Sequence, residues 1–253
     1  MFSRPTIADS LIANSRAGVD LALARACVEA SARAYAEVSF ESALAHVLVV
    51  QSPESNVQSP GATVIAFRGS ANTRDWLTDF RIGFTETFYG RVHTGFWQST
   101  NSVMADVMRL PEVVGATPVI VTGHSKGAAE AVICARLLAA AGKPVASVHT
   151  FGKPRVGNAE WRAGYNAVLG SVTTRWEHEE DIVTRLAAWC TGYRHEGLTD
   201  AFLSSFGGVE INPPLWRRAA SDLWGTFWGY QAGHIEQAMD HPVSRYQEHI
   251  NSL

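Results

Sequence analysis

Three observations predict an α/β fold with a mainly parallel central sheet and helices on both faces. Short apolar runs of strand length alternate with helix-forming stretches, the order that yields a covered parallel sheet. A chain of 253 residues with 46% hydrophobic and 18% charged residues is globular, and long enough for one large domain with a sizeable core. The third observation is the pentapeptide Gly123-His124-Ser125-Lys126-Gly127, a Gly-x-Ser-x-Gly set between an apolar run and an alanine-rich stretch.

In chain order, Val19 to Ala36 is alanine-rich and sets Val19, Leu23, Ala26, Cys27 and Ala30 on one helical face. Leu44 to Val50 and Ala62 to Phe67 read as strands joined by the turn-rich Gln51-to-Gly61 segment. Gly69 to Arg91 is polar with scattered aromatics, and Gly95 to Leu110 reads as a helix stopped by Pro111. Pro118 to Thr122 is a short buried strand, followed by a helix over Ala128 to Ala141 that closes on Gly142 as a C′ glycine. Then come a strand at Ser147 to Phe151, a short helix after Asn158, a strand at Ser171 to Glu177 and a last helix over Pro242 to Ile250. One domain is expected over residues 1–253, with an N-terminal helical extension over about residues 1–40. Residues 201–233 are rich in Gly, Trp and Phe and read either as irregular core or as an apolar cap over a cleft.

The pentapeptide on a strand–turn–helix is a nucleophile elbow, which lifts a serine hydroxyl above the sheet edge. Its glycines leave room for the tight turn. The helix N-terminus beneath supplies N–H groups where an oxyanion would form. A serine becomes a nucleophile when a histidine takes its proton and an acid orients that histidine, in the chain order Ser, Asp or Glu, His on this kind of fold. Of the downstream histidines, His149 sits inside a predicted strand as a core residue, and His249 lies solvated on the last helix. His241 and His234 are the candidates for the base, with His241 favoured by its loop-to-helix junction before Pro242. For the acid, Asp181 follows a strand and precedes the anchoring Ile182-Val183, with Glu177, Glu179 and Glu180 as competitors.

Composition excludes several other classes. The net charge is −3 and no Lys/Arg block forms a basic stripe, so no nucleic-acid partner is expected. No apolar run approaches the length of a transmembrane helix. Cys27, Cys134 and Cys190 stand far apart, without a C-x-x-C pair, which offers neither a disulfide framework nor a zinc spacing. No metal and no cofactor are therefore expected. The N-terminus lacks the order of a signal peptide, so the expected compartment is the cytoplasm, or the exterior if a leader has been removed.

Five blocks stand in the order found in class 3 lipases: Phe67-Arg68-Gly69-Ser70, His93-Thr94-Gly95-Phe96, the elbow, Thr150 to Asn158 (TFGKPRVGN) and Glu180-Asp181-Ile182-Val183. The chain resembles that family, α/β-hydrolases related to filamentous-fungal triacylglycerol lipases, over about residues 60–250. The resemblance implies the α/β-hydrolase fold and carboxylic-ester hydrolysis, with Ser125 as nucleophile, Asp181 as orienting acid and His241 as base. It places one oxyanion donor at Ser70. The other, the backbone N–H of Lys126, also follows from its position after the nucleophile. Arg155 matches a structural arginine. Asp240-His241 and the later Tyr246 look like the family's C-terminal histidine block, with a looser spacing.

Where Lys126 stands the family has an aliphatic residue. The lysine reads either as a surface partner of Glu130 one turn on or as a cation favouring anionic substrate parts such as a phospholipid head group. Residues 71–89 correspond to the family's lid. There Trp76, Leu77 and Phe80 share one side of a short helix that would cover the cleft or rest on a lipid surface, unless they pack permanently into the core. The expected partner is a small-molecule or lipid ester, with a transient lipid interface as a second contact. A phospholipase A1, a plant-wall (feruloyl-type) esterase and a non-catalytic lipid-binding module are the alternatives.

Overall fold

The computed structural model describes residues 19–51, 63–70, 83–115, 117–178, 181–185, 191–203, 208–214, 216 and 242–253. The first helix, α1 (Leu21–Arg33), starts at Asp20, whose carboxylate accepts from the Leu23 N–H at 2.9 Å. It is followed by β1 (Phe40–Glu41), β2 (His46–Gln51) and β3 (Thr63–Phe67). A hairpin of β4 (Phe84–Thr87) and β5 (Gly90–His93) leads into α2 (Thr94–Val107), capped by His93 Nδ1 accepting from the Phe96 N–H. After α3 (Pro111–Val114) come β6 (Val119–His124), α4 (Lys126–Ala140), β7 (Val145–Phe151), α5 (Ala159–Leu169) and β8 (Thr173–His178). The remaining elements are β9 (Thr199–Leu203), β10 (Val209–Ile211) and α6 (Val243–Ser252).

The main sheet has the order β1-β2-β3-β6-β7-β8-β9-β10. From β3 to β9 all pairings are parallel, and the antiparallel pairings lie at the two edges. The period-two geometry of β3, with a core on each face, explains why it is buried throughout and apolar from Val64 to Phe67. Ile65 and Phe67 join the core formed with α2, α4 and α5, while Val64 and Ala66 join the core under α1 and α6. Helices therefore cover both faces, as the alternation of elements predicts.

Gly142 takes its expected place after α4, with φ +70. Pro111 does more than stop a helix: its fixed φ suits a first helical position, and it opens the short α3. The stretch 69–91 is not uniformly irregular, because residues 84–93 pair as the β4–β5 hairpin. Part of the aromatic-rich segment is sheet rather than cap: residues 201–203 and 209–211 complete the main sheet beside β8, where Phe202 and Leu203 are buried. The N-terminal residues 1–18, Cys190 and nearly all of residues 215–233 lie outside the described residues. No described helix is long and apolar enough to cross a membrane.

Candidate active site

Ser125 stands between β6 and α4 with φ 59 and ψ −128, a conformation that side-chain-bearing residues rarely adopt. Close backbone packing enforces it. A Cβ on Gly123 would lie 2.4 Å from the Gly127 carbonyl oxygen, and one on Gly127 would lie 2.2 Å from that of Phe67. A Cβ on Gly69 would meet the Tyr35 hydroxyl at 2.2 Å and the Ser125 Cβ at 3.1 Å. The loop after β3, which carries Ser70, thus passes directly beside the serine. Lys126 is the first residue of α4, so its N–H has no partner inside the helix.

Asp181 follows β8, the second strand from β6 across β7. Two strand spacings make about 10 Å, a gap that an imidazole can fill. The Asp181 carboxylate is buried and held through both oxygens. Oδ1 accepts from the Val183 N–H at 2.8 Å, and Oδ2 accepts from the Tyr246 hydroxyl at 2.6 Å. Its backbone N–H donates to the His178 carbonyl and its own carbonyl accepts from Thr184 Oγ1, so the turn is closed on itself. The Tyr246 hydroxyl also accepts from the His178 N–H. Burial first, and then the Asp181 charge, hold that phenol well above its ordinary pKa, so it remains a donor.

Rings connect the two loops. The Tyr35 hydroxyl shares a 2.8 Å hydrogen bond with His124 Nδ1. The His124 ring meets that of Tyr246 edge-on at 5.8 Å, and Tyr246 in turn meets His178 at 6.2 Å. Sequence reasoning did not single out Tyr35 or His124. Their contact spans 89 positions, and the only local signal is that His124 adjoins the serine.

Behind the acid loop, Lys153 and Glu196 form a fully buried ion pair at 2.6 Å. Arg155 donates to the Arg185 carbonyl, tying the loop after β7 to the loop after β8, in keeping with a structural arginine. His149 is a buried core residue as expected, and its Nδ1 accepts from Trp176 Nε1. His249 is not simply solvated: α6 turns its ring against His178, with centroids 5.4 Å apart. Lys126 Nζ contacts Glu130, but Glu130 is completely buried rather than on the surface. Cys27 and Cys134 are free and buried, and desolvation raises both thiol pKa values. Among the described residues, no group of three or more His, Cys, Asp or Glu is placed to hold a metal.

The structure therefore brings Ser125, Ser70 and Lys126 together, and places Asp181 on the same sheet edge. His241, the competing His234, Glu179 and Glu180, and the lid residues Trp76, Leu77 and Phe80 lie outside the described residues. Pro242, which follows His241 in the chain, caps the helix that carries Tyr246 to Asp181.

Residues 64–190 match the profile of the family described as Lipase (class 3). The chain is 38% identical over 143 residues to secreted mono- and diacylglycerol lipase A of Penicillium cyclopium, covering 53% of this chain and 46% of the relative. It is 36% identical over 139 residues to secreted mono- and diacylglycerol lipase 1 of Fusarium solani, covering 52% and 41%. The matched part is thus less than half of either relative's length. Both relatives are named as secreted, which gives the cytoplasmic expectation no support. The Rhizomucor miehei lipase, solved with its propeptide, superposes with a TM-score of 0.63 at 21% identity, over 76% of this chain and 69% of that one.

Proposed function

The chain belongs to the class 3 lipase family, and from that premise we propose that it hydrolyses acylglycerol esters through Ser125, His241 and Asp181. The observation that carries the reading is the forced backbone of Ser125 at the elbow, two strands from a carboxylate already fixed in one orientation. In this mechanism the Ser125 hydroxyl attacks the acyl carbonyl while His241 takes its proton. The tetrahedral oxyanion is met by the N–H groups of Ser70 and Lys126. Collapse gives an acyl-serine and releases the alcohol, which receives the proton from His241. Water then attacks the acyl-serine with His241 again as base, releasing the acid. Asp181 stays ionised and orients the imidazole. Its place beside Tyr246 supports His241 as the partner, because only Pro242 separates that histidine from the helix that ends the acid's hydrogen-bond chain.

A preference for anionic head groups loses its main support, because the Lys126 ammonium is engaged inside the protein. The test combines a fluorophosphonate probe with hydrolysis of mono- and diacylglycerols. Wild type should be labelled at residue 125 and should release fatty acid, and Ser125→Ala should do neither. A wild type that binds acylglycerol but is not labelled would instead be a lipid-binding module.

We further propose that Trp76, Leu77 and Phe80 form the apolar side of a lid that responds to a lipid surface. Activity should then climb above the solubility limit of an insoluble ester, and Trp76→Ala should blunt the climb. A smooth saturation curve in both proteins would reject the lid.

A further inference from the structure

We propose that the Lys126 side chain is a positioning residue for the oxyanion hole: it clamps the first turn of α4, and with it the backbone N–H that meets the developing charge. The proposal rests on the hydrolase reading above and adds a role that the backbone alone does not supply.

The ammonium donates to three acceptors on three segments. They are the Leu44 carbonyl at 2.6 Å in the loop between β1 and β2, Ser99 Oγ at 2.9 Å on α2, and the Glu130 carboxylate one turn along α4. An ammonium has three hydrogens, so its donor capacity is used in full. Ser99 has one proton and accepts from Lys126. Glu130 is the stronger of the two acceptors within its reach, so Ser99 donates there and closes a ring of Lys126, Ser99 and Glu130. Ser42 extends the lattice. Its hydroxyl accepts from the Ala45 N–H and pairs with Ser102 Oγ at 2.6 Å, pinning the same loop to α2. The result is a fixed three-way joint whose moving part, without the clamp, would be the N-terminal turn of α4.

Stability does not explain this joint. Glu130 is fully buried, and its Oε2 has no hydrogen-bond partner among the described residues. A buried ion pair that is incompletely satisfied is commonly no better for stability than two apolar residues of similar volume. An aliphatic side chain at residue 126 would fill space but could not reach a carbonyl, a hydroxyl and a carboxylate at once. The clamp does supply direction. Lys126 is simultaneously the anchored side chain and the owner of the N–H, so each contact of Nζ limits rotation of the peptide that aims at the oxyanion. Catalysis by a preorganised donor depends on such aim, and a shift of 1 Å can cost about a hundredfold in rate.

The variants are Lys126→Leu/Glu130→Leu together, Glu130→Gln and Ser99→Ala, assayed on a soluble short-chain ester and by the rate of Ser125 phosphonylation. The double variant should melt no lower than wild type. Its kcat should fall about tenfold with KM little changed, and phosphonylation should slow in parallel, since that adduct also places an oxygen in the hole. Glu130→Gln keeps an acceptor for Lys126 and should retain most of the wild-type rate. Ser99→Ala, which removes one hydroxyl and leaves the ion pair, should lower kcat by a smaller factor and covers the case in which the double variant fails to fold. A folded double variant with wild-type kcat and phosphonylation rate would overturn the clamp and leave the hydrolase reading intact, as would Ser99→Ala at wild-type rate if the double variant does not fold. A wild type that is not phosphonylated would overturn both.

Discussion

The loop that carries Ser125 is shaped by backbone packing, whereas the loop that carries Asp181 is shaped by side chains, one of them from the far end of the chain. At the serine, glycine at residues 69, 123 and 127 lets main chain approach main chain too closely for any Cβ, and the left-handed conformation follows. At the aspartate, the turn is closed by the carboxylate on the Val183 N–H, by Thr184 and by Tyr246, which lies 65 positions later. The first arrangement cannot bend without a clash. The second can lose one hydrogen bond and keep its path. A nucleophile needs fixed geometry at every step, and an orienting acid needs only a fixed direction for its charge.

Two substitutions on the acid side probe that difference. Asp181→Asn keeps an acceptor for the Val183 N–H and removes the charge that orients the imidazole, and it should lower kcat by about 10⁴-fold with the fold retained. A loss of only a few-fold would show that another carboxylate orients the base. Tyr246→Phe is milder, since it removes one hydroxyl and leaves Asp181 ionised. A hydrogen bond to a charged group is worth about 1.5–3 kcal/mol, so kcat should fall between about 10- and 100-fold, with a modest drop in melting temperature. If Tyr246→Phe changed melting temperature alone, the tyrosine would hold the helix and not the acid.

The same contrast explains what was legible in the sequence. The elbow is a local backbone motif, so five consecutive residues with their flanking strand and helix disclose it. Asp181 stood among three glutamates, favoured by its place after a strand and before Ile182-Val183 and then by the resemblance, but nothing in its neighbourhood reveals that a tyrosine from α6 seeks its Oδ2. That the central sheet is mainly parallel followed from the alternation of elements; its strand order did not. The hairpin at 84–93 did not either, because its first strand carries Thr and Glu on a half-exposed surface and its second is the four-residue Gly90-Arg91-Val92-His93, with a single pair of apolar and charged neighbours at its centre. The strand β9 was hidden by a charge inside it: Asp200 pairs with Arg175 at 2.6 Å, a partner that is not visible from residue order. Likewise, the i,i+4 spacing of Lys126 and Glu130 discloses their pairing. It does not show that Ser99 of α2 and the Leu44 carbonyl join the pair, or that Glu130 is fully buried there.

The strand between the two loops offers the smallest and cleanest test. β7 pairs with β6 on one side and β8 on the other, so it sets the separation of Ser125 and Asp181. His149 lies within it, accepts from Trp176 Nε1 at 3.2 Å, and is pushed down to about pKa 4 by burial. A histidine in the unfolded chain takes a proton near pH 6.5, whereas this one resists until about pH 4. Between those values the unfolded state binds more protons, so stability is complete above about pH 6.5 and falls as the pH drops toward 4. The contribution reaches about 3 kcal/mol at the acid end. His195, whose pKa burial also lowers, acts in the same direction, so His149 accounts for only part of the slope. His149→Gln keeps an acceptor for the Trp176 indole and cannot titrate. Denaturant unfolding at about pH 7 and at about pH 4.5 should show a smaller loss of stability in the variant than in wild type. An unchanged difference would mean that His149 is already protonated in the folded strand, and that β7 is a softer spacer between nucleophile and acid than its burial implies.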